Sequence, residues 1–513
     1  MALLAMSIII ILPIIPLAKA QQQALQYLEI TQGIASGDVT SNSAVIWSRS
    51  NQPAIMVVDY STDPTFSERL TNTSISAEAN WTTDFAAHTM LQGLRPDTDY
   101  YYRVTFTSAD RSQMSESMNG TFRTAPEDSV SKEVGFAVGG DLAGQRYCSR
   151  VDIGYPIFSA IKELAPDFFV ANGDLIYADN DCPANGPDNV RGWKNLPGNF
   201  LNVTDPDVDW TNSTQLHELY LNHWEYNRAD PHFQSLLRNV SVYSQADDHE
   251  VANDYSGTSP YYTNATKDRE GFRNLISEGM NVFFNFSPIE RNEEEPHRIY
   301  RSFNWGKDLD LFVLDAHSYR SPNYWPETPG SNKTLLRDEQ LNWLKQGLAN
   351  STSTWKAILI DVPVTIPNCS NQTGCDNWAT DGETNQTYTR ERSELLKFMD
   401  ENNIKNVVFV VTDTHFPANI RVEEDADGDG DALIFHELVS GPLNAGTFGP
   451  DPLDPTINAK YLYKETGFFN FGYYRIQPSA EPINNETSHF IAEIRTADGL
   501  LRPESHMEIM AEE

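Results

Sequence analysis

Basic residues are scarce: 37 Lys and Arg stand against 72 Asp and Glu in 513 residues, a formal charge of −35. That deficit excludes a nucleic-acid backbone as partner, which calls for a basic surface. It suits solubility and cation binding. Long apolar runs are missing beyond the first twenty residues, so no later segment is fit to span a bilayer. Cysteine is limited to Cys148, Cys182, Cys369 and Cys375, and no internal repeat is evident. What is present, 40% hydrophobic and 11% aromatic residues, belongs to a globular protein, and the length calls for more than one core.

The opening "MALLAMSIIIILPIIPLAKAQQQ" has the outline of a signal peptide over residues 1–20, with a small-x-small site before Gln21. It lacks Lys or Arg ahead of the apolar run. An uncleaved anchor is the alternative, opposed by the short run and by Pro13 and Pro16. Cleavage after Ala20 makes the protein secreted, periplasmic or cell-surface, with no stable membrane span. Asn-x-Ser/Thr sequons recur from Asn72 to Asn485, which fits surface glycosylation or an Asn/Thr-rich composition. In an oxidising compartment "CSNQTGC" reads as a local Cys369–Cys375 disulfide. Cys148 and Cys182 follow two strand-ending carboxylates, and are expected to bridge if those strands are neighbours.

Residues 31–125 alternate apolar and polar positions in "SAVIWSRS", "AIMVVDYST" and "DYYYRVTFT", separated by turn clusters. "LQGLRPDTDYYYRV" leads Leu94, Pro96 and Thr98 into Tyr100. It resembles the tyrosine corner of fibronectin type III sandwiches, with Trp47 as a core candidate. From Val134 the pattern changes. Apolar runs "VGFAVGG", "DFFVANG", "VYSQA", "LDLFVLD", "WKAILIDV" and "NVVFVVT" alternate with helical stretches such as "PIFSAIKELA", "RDEQLNWLKQGLA" and "TRERSELLKFMDENN". Such alternation predicts an α/β layered core over residues 134–500. Later runs, "ALIFHELVSG", "GYYRIQ" and "HFIAEIRTA", suggest a final antiparallel set. The polar interval from Asn180 to Asn239 reads as insertion loops with one helix near "STQLHELYLNHW", walling a site.

The chemistry lies at the strand ends. Asp141 follows "GFAVGG"; Asp174 and Tyr177 follow "FFVANG"; Asp247, Asp248, His249 and Glu250 follow "VYSQA". Asp361 follows "KAILI", and Asp413 and His415 follow "VVFVVT". One strand-ending Asp is ordinarily a turn or cap. Five in succession are a metal site, because parallel strands deliver such residues to one edge.

The order Asp…Gly-Asp-x-x-Tyr…Asp-His-Glu…Asp-x-His resembles calcineurin-like metallophosphoesterases, and Tyr177 resembles the iron-ligating tyrosine of purple acid phosphatases. The closer resemblance is to PhoD-like alkaline phosphatases, carried by "GIASGDVTSNSAVIWSR", "GDLIYAD", "DDHE", "LDAHSYRS" and "VVFVVTDTH". It implies a fibronectin type III-like sandwich followed by a metallophosphoesterase domain, a β-sandwich core flanked by helices. It implies two metals bridged by Asp174, one taking Asp141, Tyr177 and His415, the other Asp248, Asp413 and Asp361. This chain has Gly-Gly-Asp where the best-known PhoD proteins carry a cysteine ligand. It has Thr412-Asp413-Thr414-His415 where the wider superfamily has Gly-His-x-His, and Asp248 before His249 where others have Asn. The first site then suits Fe³⁺. The second, nearly all oxygen, favours Ca²⁺, Mg²⁺ or Mn²⁺ over Zn²⁺.

The resemblance thus implies a metal-dependent alkaline phosphatase-type hydrolase acting on phosphate monoesters, releasing inorganic phosphate by attack of a metal-activated hydroxide. His249 is the candidate for stabilising developing charge, and Arg320 for binding a phosphate oxygen. His317 stands where many relatives carry another Arg. A phospholipase-D-like diesterase is the second enzymatic reading. A calcium-binding surface or adhesion protein without turnover is the non-enzymatic one. Asp425, Asp427, Asp429 and Asp431 alternate as in a calcium loop, but His436 stands where the terminal bidentate Glu belongs. A solvated hairpin tip is the equal alternative.

Overall fold

The computed structural model describes residues 27–67, 75–188, 190–257, 269–370, 374–478 and 488–512. The leader 1–20 and the sequons at Asn72, Asn264, Asn371 and Asn485 lie outside them.

Seven strands occupy the N-terminal region: β1 (Ile30–Gly37), β2 (Ser43–Ser50), β3 (Ala54–Ser61), β4 (Ile75–Ala79), β5 (Ala86–Gln92), β6 (Asp99–Thr107) and β7 (Met118–Arg123). They form two layers, ordered β4-β3-β6-β7 and β1-β2-β5. In β6, Tyr100, Tyr102, Val104 and Phe106 turn inward on alternate positions, and with Ile34, Ile46 and Leu91 they fill the space between layers. The Tyr100 hydroxyl accepts from the Arg95 backbone N–H at 2.8 Å, pinning the corner that its sequence suggested. Trp47 is buried, but not in this core. Its neighbour Ile46 faces inward, so Trp47 faces the opposite way, against Phe286 and under the Arg228 guanidinium at 4.2 Å. Its indole N–H donates to the Asn285 carbonyl at 2.7 Å. Asn285 itself, one of the sequons, is buried, and its amide donates to Asp84 at 2.8 Å.

The chain then runs through β8 (Val134–Gly139), α1 (Ile157–Glu163), β9 (Phe168–Asn172), α2 (Ser213–Arg228), α3 (Pro231–Asn239), β10 (Ser241–Gln245) and α4 (Arg269–Phe286). Next come β11 (Arg301–Trp305), β12 (Leu309–Val313), α5 (Arg337–Asn350), β13 (Trp355–Leu359), a short hairpin of β14 (Cys369–Ser370) and β15 (Gly374–Cys375), and α6 (Thr389–Glu401). The last elements are β16 (Val407–Val411), β17 (Ala418–Glu424), β18 (Leu433–Val439), β19 (Ala459–Lys464), β20 (Asn470–Gln477), β21 (His489–Thr496) and β22 (Met507–Met510).

Among the described residues, β22-β21-β20-β8-β9-β10-β1-β2-β5 make one nine-stranded sheet, and β11-β12-β13-β16-β18-β17-β19 a seven-stranded one. The N-terminal layer therefore continues the first sheet, through a parallel contact of β1 with β10 at Gly37 and Val242. A side chain at Gly37 would meet the Pro288 and Val242 carbonyl oxygens within 2.7 Å, which is why the junction needs glycine.

The two sheets pack face to face, with Phe168 against Trp305 and Trp355 against Phe490. Along β12, Leu309, Leu311 and Val313 point into this shared core while Phe312 points to the far side. β13 and β16 repeat the pattern. Strands buried on both faces read as unbroken apolar runs, and this is the physical source of the signal in the sequence. α5 and α6 cover the far side of the second sheet through Leu341, Leu344, Leu395 and Met399.

The expected final antiparallel set is not one unit. β18 joins the second sheet, parallel to β16, whereas β20 and β21 join the first beside β8. Each run alternates toward a different core, and spacing alone does not say which. The α4 helix is absent from the sequence reading although its apolar residues recur at helical spacing, and α3 is a second helix in the 180–239 interval where one was expected. Both disulfides are present. β8 and β9 are parallel neighbours, so Cys148 meets Cys182, and Cys369 closes on Cys375.

Candidate metal centre

Two parallel triplets aim at one crevice. β8, β9 and β10 end there from the first sheet, and β12, β13 and β16 from the second. The loops that follow are bent sharply: Asp141, Asp174, Asp413 and His415 all have φ between 52° and 67°. Left-handed backbone at non-glycine residues costs about 1 kcal/mol or more each and gathers at functional sites. Gly441 completes the cradle. A Cβ there would lie 2.4 Å from Asp141 Oδ2, and its φ of 107° favours glycine in any case.

Asp141 is fully buried, and neither of its carboxylate oxygens has a hydrogen-bond partner. Asp413 Oδ2 and Asp247 Oδ2 are orphaned in the same way. Burial, and next the charge of Asp247, push the Asp141 carboxyl well above the usual range; the same two causes lead at Asp174 and Asp413. A buried carboxylate without partners costs several kcal/mol unless a cation meets it. The donor set therefore fits bound cations.

On one side stand Asp141, Asp174, Tyr177 and His415. The Tyr177 hydroxyl is 3.0 Å from His415 Nε2, which is 3.6 Å from Asp141 Oδ1. His415 Nδ1 lies against the Gly446 carbonyl, an arrangement that places the proton on Nδ1 and leaves Nε2 as an acceptor. Burial lowers the His415 pKa to about 4, so the ring is neutral. The Tyr177 ring packs over the backbone of Gly144, where a Cβ would come within 2.6 Å of the ring.

On the other side, Asp174, Asp248 and His249 bring one ligand atom each within 4.8 Å of one another. Asp174 Oδ1 accepts from the His249 backbone N–H at 3.1 Å, tying the second motif to the third. Glu250 reinforces the join, taking the backbone N–H groups of Asp174, Leu175 and Asp247 at 3.0, 2.7 and 2.9 Å. His249 stacks on Tyr177 at 4.0 Å. Its Nδ1 lies 2.7 Å from Asp179 Oδ1, and its Nε2 is 3.9 Å from Asp174 and 3.8 Å from Asp248. Burial opposes the charge on this imidazole, but Asp179 and Asp248 outweigh it and raise the pKa well above 6.5.

Two expected residues are placed differently. Asp361 sits away from Asp248, with Oδ2 2.7 Å from His317 Nε2 and Oδ1 accepting from Gln245 at 2.8 Å. Arg320 is wholly buried; its Nε donates to the Tyr255 carbonyl at 3.0 Å and its terminal nitrogen to Asp376. Asp376 in turn groups with Asp254 and Asp248, so Arg320 stands behind the crevice wall. Its charge is taken up by a carboxylate that sequence reasoning did not single out, since Asp376 follows only the two-residue strand β15, too short to read as an apolar run.

Asp247 was named at its strand end but given no role, and Asp179 was passed over. Asp247 adjoins Asp248 and shares its strand signal, but only the fold shows it 1% exposed amid the other carboxylates. Asp179 closes "GDLIYAD", two residues after Tyr177, and becomes visible once His249 is found beside it. The Asn180 carbonyl next to it meets His223 of α2, and Asn227 of the same helix donates to the Leu175 carbonyl at 2.7 Å, so α2 packs against the loop that carries Asp174. The acidic stretch 425–431 is the tip of the β17–β18 hairpin. There Asp425, Asp427 and Asp429 accept backbone N–H groups from Gly428, Asp429 and Asp431.

A crevice of carboxylates, one neutral imidazole and a phenol at the C-terminal edge of paired parallel strands defines a metal-dependent hydrolase. The particular group follows from comparison with known proteins. The model of the family described as "PhoD-like phosphatase" matches residues 136–487, and that of its N-terminal domain matches residues 17–126. The chain belongs to the PhoD-like phosphatase family and is a phosphatase-type hydrolase. It is 24% identical over 480 residues to alkaline phosphatase D of Bacillus subtilis, covering 87% of this chain and 75% of that protein. Among solved structures it resembles PhoD, with a TM-score of 0.68, 19% identity, and 94% and 92% of the two chains covered. It also resembles the purple acid phosphatase PPD1 from yellow lupin seeds, with a TM-score of 0.58, 13% identity, and 93% and 73% covered. Among the described residues no helix is long and apolar enough to cross a membrane.

Proposed function

We propose that the chain is a secreted, dinuclear alkaline phosphatase-type enzyme that hydrolyses phosphate monoesters. Residues 1–20 would serve as its leader, 31–125 as a fibronectin type III-like sandwich and 134–500 as the catalytic domain. The observation that carries the reading is the fully buried Asp141 carboxylate, both of whose oxygens lack a partner beside Tyr177 and His415. Asp141, Asp174, Tyr177 and His415 would hold Fe³⁺, for which a phenolate and carboxylates are suited. Asp174, Asp248 and Asp413 would hold Ca²⁺, with Mn²⁺ or Mg²⁺ as substitutes. Asp361, turned toward His317, is left out of that set.

When bound, such cations supply Lewis acidity and a water of lowered pKa. The protein's own part is positioning. Asp179 fixes the His249 ring so that Nε2 faces the space between Asp174 and Asp248, where a phosphoryl oxygen would lie. There a protonated imidazole donates to the oxygen on which negative charge grows, and the flanking carboxylate keeps it protonated. Arg320 holds Asp376 and, through it, the outer wall.

Hydrolysis of p-nitrophenyl phosphate and its bis-ester tests the proposal, with protein loaded with iron and calcium. Monoester turnover should exceed diester turnover, and Asp174→Asn should lower it more than about a hundredfold, the upper cost of losing a mere supporting partner. Wild-type protein that binds both metals yet turns over neither ester would refute the reading.

A further inference from the structure

The rings of the candidate centre form a continuous run toward solvent. His249 stacks on Tyr177, Tyr177 stands edge-on to His415 with centroids 6.3 Å apart, and Phe448 lies against His415 at 4.8 Å. The first three side chains are largely buried, whereas Phe448 is 50% exposed.

A lone exposed apolar side chain is ordinary on a protein surface. Phe448 differs in how it is held and in what it touches. Its backbone N–H donates to the His415 carbonyl at 3.3 Å, and its carbonyl accepts from the Thr466 hydroxyl. Two residues earlier, the Gly446 carbonyl faces His415 Nδ1 and the Gly446 N–H donates to Gln145 at 2.8 Å. The loop is therefore anchored on both sides of Phe448. It sets part of the ring on the imidazole of a candidate metal ligand and leaves the rest open.

A phosphoryl group between Asp174, Asp248 and His249 carries its organic part outward from this buried end, and Phe448 is the solvent end of the aromatic run. Charge at the mouth bears on what that part can be. From Thr447 to Asp451 the loop holds no base and one acid, Asp451. Arg320 is already engaged by Asp376. An anionic leaving group finds no compensating cation among these residues. A flat uncharged ring leaves water and gains an aromatic contact with the open part of Phe448.

We propose that Phe448 is a specificity-determining residue, and that the crevice takes phosphate monoesters of uncharged phenols in preference to those of alkyl alcohols. The proposal rests on the phosphomonoesterase reading for the place of the phosphoryl group, and names the substrate class of that same site.

Two unreactive phosphonates separate the ring contact from turnover. Phenylphosphonate and methylphosphonate are titrated calorimetrically into the full-length protein loaded with iron and calcium, as wild type, Phe448→Ala and Phe448→Leu. Wild type should bind phenylphosphonate roughly three- to tenfold more tightly than methylphosphonate, the range of one aromatic contact. In Phe448→Ala the preference should disappear while methylphosphonate affinity stays unchanged. Phe448→Leu keeps bulk over His415 without the ring; it should lower the preference likewise, and it decides if the alanine variant loses its iron. In turnover, kcat/KM for phenyl phosphate relative to glycerol phosphate should fall in Phe448→Ala by the same factor, carried by KM. Each ester is compared between proteins, so its intrinsic reactivity cancels. Equal binding of the two phosphonates by wild type overturns the proposal, as does a preference that survives both substitutions. Equal weakening of both ligands in the variants would make Phe448 a mere cover for His415. Wild type that keeps the phenyl preference yet hydrolyses neither ester would sink the enzymatic reading alone, and failure to bind either phosphonate would sink both.

Discussion

Replacing Asp179 by Asn isolates the contribution of one charge to the proposed chemistry. Asn keeps the shape and an acceptor oxygen, so the 2.7 Å contact to His249 Nδ1 remains possible while the negative charge goes. The pair is nearly dry, with side chains 12% and 8% exposed, so solvent screens it little. A charge-assisted hydrogen bond in such a place contributes about 1.5–3 kcal/mol. At 1.36 kcal/mol per unit, the His249 pKa should fall by about 1–2 units. The sign follows from the raised value in the folded protein. His249 is protonated below its pKa, and activity that needs the imidazolium is lost as pH rises through it. In Asp179→Asn the alkaline limb of the kcat profile for p-nitrophenyl phosphate should therefore move to lower pH by that amount. At fixed alkaline pH kcat should drop about 10–100-fold, with KM little changed. A variant with wild-type kcat and an unmoved alkaline limb would show that Asp179 only packs, and that His249 does not act as an acid.

Stripping the metals should expose the cost of the carboxylate cluster. Burial first, then neighbouring carboxylates, raise Asp247 and Asp248 to about 6; burial raises Glu250 to about 7. The metal-free folded state thus binds more protons than the unfolded chain between about pH 4 and 7. Its stability is full below the unfolded values and falls as pH rises through the folded ones. Melting in chelator should occur at lower temperature at pH 8 than at pH 5, and added Ca²⁺ should reverse the difference; a flat profile in chelator would contradict this. Gly441→Ala should displace Asp141, since the new methyl would sit 2.4 Å from Oδ2. Iron content and phosphatase activity should fall together while the far-ultraviolet circular dichroism stays unchanged.

Much of this protein was legible in its amino-acid order. Six strand-like runs became β8, β9, β10, β12, β13 and β16; five are largely apolar, as strands buried on both faces demand, while β10 also buries Ser241, Ser244 and Gln245. Acids placed directly after such runs were bound to meet, since parallel strands share an edge. Hence Asp141, Asp174, Tyr177, Asp248 and His415 are readable from the sequence and meet in one crevice, where Asp413 feels the charges of Asp248 and Asp141. What the sequence could not say is which neighbour each group would face. Trp47 and Ile46 are equally apolar, and only the stacking of a helical layer on the outer face decided that Trp47 packs there. Arg320 carries a charge suited to phosphate, yet Asp376, from a loop 56 residues on, lies closer and takes it. Asp361 ends its strand like the others, but the ring of His317, arriving from the adjacent parallel strand, captures it. Periodicity acts over a few residues and fixes strands and their ends. The partners of a buried charge are chosen across the whole chain, by whichever group the packed sheets leave within about 3 Å.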